Sequence, residues 1–94
     1  MNTDKLYYRI EIRDKDFNLY KDKNGNQVTK FEFEGNEKDE NLVHLICESV
    51  FNKYLAVCKE GSIIMIEVRY FDTISETYPC LYSFYGDENK FIKH

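Results

Sequence analysis

Two stretches of the chain place oxygen ligands at the spacing of a calcium loop, Asp22-x-Asn24-x-Asn26 and Asp14-x-Asp16-x-Asn18. Such a loop also needs a glycine at its sharp turn and a carboxylate that closes on the ion with both oxygens. The first stretch has Gln27 and Phe33 at those places and the second has Leu19 and Gly25, so both read as turns. His44 and Cys47, three apart on one side of an expected helix, could offer a thiol and its base or two metal ligands. Zinc would require two further donors, and Cys58, Cys80 and His94 include no Cys-x-x-Cys pair, so Cys47 reads as a small apolar filler. With four glycines and two histidines, no Ser-His-Asp set and no phosphate-cradling loop can be placed. The expectation is a protein with no cofactor, no metal and no catalytic residues.

Charge is the next candidate. Glu32, Glu34, Glu37, Asp39 and Glu40 face a single base, Lys38, within nine residues, and this stretch holds all the excess negative charge of a chain whose net charge is −4. The acids can simply stabilise a helix start, or they can form a patch for a basic surface, with association speeded by steering. Eight tyrosines and seven phenylalanines could form a stacking platform for single-stranded RNA. Such a platform needs basic residues around it. Arg9, Arg13, Lys30 and Arg69 are offset by Glu11, Glu32, Glu34 and Glu67, which argues against direct nucleic-acid binding.

The elements that position these groups follow from periodicity. Leu6, Tyr8, Ile10 and Ile12 alternate with Tyr7, Arg9, Glu11 and Arg13, which predicts a half-buried strand over 6–13. A short strand over 17–21 and a third carrying Phe31 and Phe33 flank the hairpin signal Asn24-Gly25. Val43, Ile46, Cys47, Val50, Tyr54, Val57 and Cys58 form one apolar stripe on a helix over 37–60, capped by Asn36 and stopped by Gly61. Leu45 falls on the far side as an isolated exposed leucine. Residues 62–71 are apolar on both faces and predict a central strand. A fifth strand spans 77–85, with Tyr78, Cys80, Tyr82 and Phe84 on one face, and Pro79 puts at least its start at a sheet edge. Phe91-Ile92 leaves room for a short sixth strand.

The predicted fold is therefore α+β: a mostly antiparallel five-stranded sheet in the order β-β-β-α-β-β, with one amphipathic helix on one face. Its 94 residues suit a single domain, and 43% apolar with 16% aromatic content predicts an aromatic core. No apolar run is long enough to cross a membrane, and the N-terminus reads as a polar lead into a strand rather than a signal peptide. Three cysteines, with Cys47 and Cys58 roughly 16 Å apart by helical rise, suggest reduced thiols and a cytoplasmic protein.

One helix covers only part of such a sheet. The opposite face collects Tyr7, Val28, Ile63, Met65, Phe71, Leu81 and Tyr85, which either meet a partner or a second copy or are hidden by curvature. Lys, Asn, Ile, Tyr and Phe make up 41 of the 94 residues, a bias toward A/T-rich codons that suggests a low-GC bacterium or its phage. In size, acidity, codon bias and lack of motifs the chain resembles phage-encoded inhibitors of bacterial defence such as the anti-CRISPR proteins. The resemblance is to a loose class with many folds, so it carries over no residues. It implies a non-enzymatic inhibitor, monomer or homodimer, that binds a protein or ribonucleoprotein complex in the host cytoplasm. The contact residues would be Glu32, Glu34, Glu37, Asp39 and Glu40, or Tyr7, Met65, Phe71, Leu81 and Tyr85. An immunity protein that neutralises a toxin and an RNA-binding module are the alternatives.

Overall fold

A computed structural model of the chain describes residues 2–18, 31–56, 58 and 61–94. Five strands and one α-helix occur among them, β1 (Asn2–Arg13), β2 (Phe31–Gly35), α1 (Glu40–Leu55), β3 (Ile63–Phe71), β4 (Cys80–Tyr85) and β5 (Lys90–Lys93), with a 3₁₀ turn at Gly86–Glu88. The strands form one sheet in the order β2-β1-β3-β4-β5, and every pairing is antiparallel. This is the α+β fold that the periodicities imply. The described strands divide two before the helix and three after it, because Phe91 and Ile92 do form a strand. Of the strand expected over 17–21, Phe17 and Asn18 lie in a bend with Phe17 at φ 68°, and the rest lies outside the described residues.

The alternation of β1 and β3 explains the core. Leu6, Tyr8, Ile10 and Ile12 of β1 meet Ile64, Ile66 and Val68 of β3 on one face, with Tyr82 and Phe84 of β4 beside them, and all are buried. Helix α1 lays Val43 and Cys47 into this layer as its two buried side chains, while Ile46, Val50, Phe51 and Tyr54 pack around them. Each fully buried aliphatic or aromatic side chain contributes about 1.5–3 kcal/mol. The sheet therefore supplies most of the core and the helix acts as its lid.

The helix ends differ from the sequence expectation. Asp39, not Asn36, is the N-cap: its Oδ1 accepts from the backbone N–H groups of Asn41 and Leu42 at 2.9 and 3.3 Å. Glu37 bends back to accept from the N–H groups of Lys38 and Asp39 at 3.1 and 3.0 Å, so the chain enters the helix only at Glu40. Past Leu55, the Cys58 N–H still reaches the Tyr54 carbonyl at 3.0 Å. Gly61, at φ 85°, takes the left-handed turn that leads into β3. Leu45 is not an isolated exposed leucine, since Leu42 and Leu55 are exposed as well.

Strand β4 carries a second correction. Val68 pairs with Tyr82 but Arg69 pairs with Cys80, so Leu81 is the extra residue of a bulge. The bulge reverses the alternation before it. Tyr78 consequently sits on the face opposite Tyr82 and Phe84, and Leu81, half-buried, packs against the core instead of lying on the open face. Pro79 needs no N–H here: its carbonyl accepts from Tyr70, while β5 begins its pairing only at Tyr82.

Candidate protein-binding surface

The acidic stretch is largely occupied by local structure. Glu34 pairs with Lys5 at 3.1 Å across β1 and β2, and its hydrogen bond and charge hold the Lys5 ammonium above its usual pKa. Glu37 and Asp39 serve backbone N–H groups at the helix start. Glu40 is exposed in the first helical turn. Of Glu32 only the backbone, in β2, is described. The acids nevertheless act as a field: the Tyr82 phenol is raised first by burial and then by Glu40 and Asp39.

The face opposite the helix carries a ladder of ion pairs along its middle. Glu67, with little exposure, accepts from Arg69 at 2.7 Å and lies 3.6 Å from Arg9, and Arg13 pairs with Glu11 at 3.3 Å. Each described arginine thus has a carboxylate partner, so none of the three offers an unpaired guanidinium to a phosphate. Lys30, the fourth base of the RNA reading, lies outside the described residues, as does Val28.

The ladder separates the apolar candidates into two groups. Tyr7 meets Tyr78 edge-on at 5.2 Å and Phe71 meets Tyr78 at 5.1 Å, forming an aromatic cluster where β3 turns toward β4. Arg69 donates to the Tyr78 carbonyl at 2.9 Å and pins it there. Met65 and Tyr85 are paired to each other near the opposite end, roughly 20 Å from Phe71 by strand rise. Tyr7, Met65 and Phe71 are half-buried, and Tyr85 is 38% exposed. Gly35 pairs with Leu6, which also pairs with Tyr70, so the segment leading to the acidic helix start leaves the sheet at the same end as the aromatic cluster.

Between β3 and β4 stands a residue that the periodicities do not single out. Ile74 is 88% exposed and Tyr78 is 48% exposed. The turn beneath Ile74 is built firmly. Asp72 Oδ1 accepts from the Ile74 N–H at 3.0 Å, the Asp72 carbonyl accepts from Glu76 at 2.8 Å, and the Asp72 N–H donates to Thr77 at 2.9 Å. Glu76 closes the turn at φ 56°. The signal in the sequence is an apolar β-branched residue inside the otherwise polar Asp72-Thr73-Ile74-Ser75-Glu76 turn.

The candidate nucleophiles are placed in structural roles. Cys47 is buried, and desolvation pushes its thiol up to about 12, far from a reactive thiolate. His44 turns away to stack on Phe91 at 4.5 Å, with Nε2 at 3.2 Å from Asn89 Oδ1 and 3.5 Å from Glu48. Asp14 Oδ1 accepts from the N–H groups of Asp16 and Asn18, both at 2.9 Å, closing a turn. A cluster that the linear spacing hides is Ser83, whose Oγ lies 2.7 Å from His94 Nε2 and 3.5 Å from Cys80 Sγ. Ser83 is only 6% exposed and the Cys80 thiol donates to the Tyr82 carbonyl, so the cluster fastens β5 to β4. Among the described residues no group of three His, Cys, Asp or Glu side chains could hold a metal ion, and no helix is long and apolar enough to cross a membrane. No protein-family model, curated protein or solved structure matches this chain.

Proposed function

We propose that this chain is a small non-enzymatic inhibitor that binds a larger nucleoprotein complex through the β3–β4 turn and the neighbouring acidic helix start. The observation that carries this reading is Ile74, held out on a hydrogen-bonded turn at 88% exposure beside the aromatic cluster of Tyr7, Phe71 and Tyr78. A rigid apolar tip flanked by aromatic area is what a binding hot spot requires, because little conformational entropy remains to be lost on contact. The acids on the same end suit a basic surface of the kind that ordinarily holds nucleic acid, and they would steer the encounter. The paired arginines of the sheet support a protein partner in preference to RNA.

The test is affinity capture from nuclease-treated bacterial lysate, with the native chain and the Ile74→Asp variant in parallel. The native chain retains the subunits of one complex and the variant loses them. Equal capture by Ile74→Asp would contradict the reading.

A further inference from the structure

At the other end of the sheet, the 3₁₀ turn Gly86–Glu88 folds against the beginning of β3 and leaves an open groove of about 360 Å³. Ile63 and Tyr85 line it on the apolar side, over the buried Ile64, and Asp87, Glu88 and Lys90 line its polar rim. Asp87 and Glu88 are exposed, and neither carboxylate is ion-paired to Lys90 or to any other described residue. The backbone that carries them is held, because Asn89 closes the turn at φ 47° with its N–H on the Gly86 carbonyl at 3.1 Å. Gly86 in turn lies against the Phe51 ring of the helix.

We infer that this groove receives an arginine side chain from the protein partner. A guanidinium is planar, stacks on an aromatic ring and offers paired donors to carboxylates, while its aliphatic stem lies on apolar surface. Tyr85, the Asp87 and Glu88 pair, and Ile63 answer those three features in turn. The rim carries two acids against one base, and the whole chain is negative, so a cationic group is favoured over an anionic one. The volume lies at the low end of the roughly 300–1,000 Å³ range of small-ligand sites, which suits one long side chain rather than a folded segment. Lys90, paired across the hairpin with Tyr85, is exposed and makes no ion pair with a described residue.

The inference rests on the partner being a protein, but its test needs no partner. Amide chemical shifts of the intact chain are followed while a capped Gly-Arg-Gly peptide is added, with capped Gly-Lys-Gly and Gly-Glu-Gly as controls. The arginine peptide produces saturable shifts centred on Ile63, Tyr85 and Asp87, and the glutamate peptide produces none. The double variant Asp87→Asn, Glu88→Gln keeps the native spectrum elsewhere and binds the arginine peptide about tenfold more weakly, the loss expected for one charge-assisted contact. No saturable shift at these positions, or an unchanged affinity in the double variant, would overturn the site. An equal response to the lysine peptide would overturn its assignment to a guanidinium. Loss of capture by Ile74→Asp together with a silent groove would leave the turn as the contact and remove only this site.

Discussion

Gly86 packs directly beneath the ring of Phe51, so closely that a Cβ there would overlap the ring carbons. Helix and β-hairpin meet at this point through the absence of a side chain. Gly86→Ala should force the Phe51 ring from its place against Phe84 and cost about 1–3 kcal/mol, the usual penalty of overpacking. A urea titration of both proteins would show it as a lower midpoint with an unchanged slope. An unchanged midpoint would mean that the ring has an alternative seat.

The helix start gives a sharper comparison. Removing the Asp39 cap with Asp39→Ala should destabilise the chain by about 1 kcal/mol, whereas Asn36→Ala should leave it nearly unaffected. Thermal unfolding followed by circular dichroism separates the two. Equal losses would return the cap to Asn36.

Burial of two acidic protons should weaken the fold at alkaline pH. The Cys47 thiol and the Tyr8 phenol have ordinary values of 9.0 and 10.0 and are both pushed up to about 12, desolvation being the largest cause in each case. Between those limits the native chain keeps protons that the unfolded chain releases, so stability is full below the lower values and is lost as pH rises toward the upper ones. Urea midpoints at neutral pH and at about pH 11 should therefore differ, the alkaline one being lower. Cys47→Ala would reduce that difference. A flat profile would mean that neither group is shielded from water.

The acidic end separates structure from steering. Reversing Glu37, Asp39 and Glu40 together would remove the helix cap along with the charge, because two of the three carboxylates hold backbone N–H groups. Glu40→Lys alone changes the field and leaves the cap in place. It should slow association with the captured complex severalfold at low salt, with little change in dissociation, and the effect should fade as salt is raised. Association rates measured at two salt concentrations decide the matter, and an unchanged rate at low salt would remove the acids from the mechanism.

What the sequence reveals here depends on whether a period runs unbroken. Strand β1 keeps strict alternation, so Ile10 is legible as core from its neighbours alone, whereas β3 is apolar on both faces and only its place beside β1 assigns Ile66 to the core. The helical stripe is legible for the same reason, although its start is not, since Asn36 and Asp39 are both good caps and Glu37 decides between them by folding back. In β4 the extra residue at Leu81 reverses the faces before it. Tyr78 therefore reads as sharing a face with Tyr82 and Phe84 and is found on the open side with Tyr7 and Phe71. The Ser83 and His94 contact spans eleven residues of a hairpin whose register no local pattern fixes. The Tyr85 groove joins the beginning of β3 to a turn more than twenty residues later, and only the sheet brings them together.

The most direct test of the turn as the contact is amide hydrogen exchange of the native chain, free and bound to the captured complex. The account predicts that protection on binding is strongest over residues 72–78, with a second protected stretch at the helix start. Protection confined to the outer side of the helix, where Leu42, Leu45 and Leu55 are exposed, with residues 72–78 exchanging as in the free chain, would contradict it.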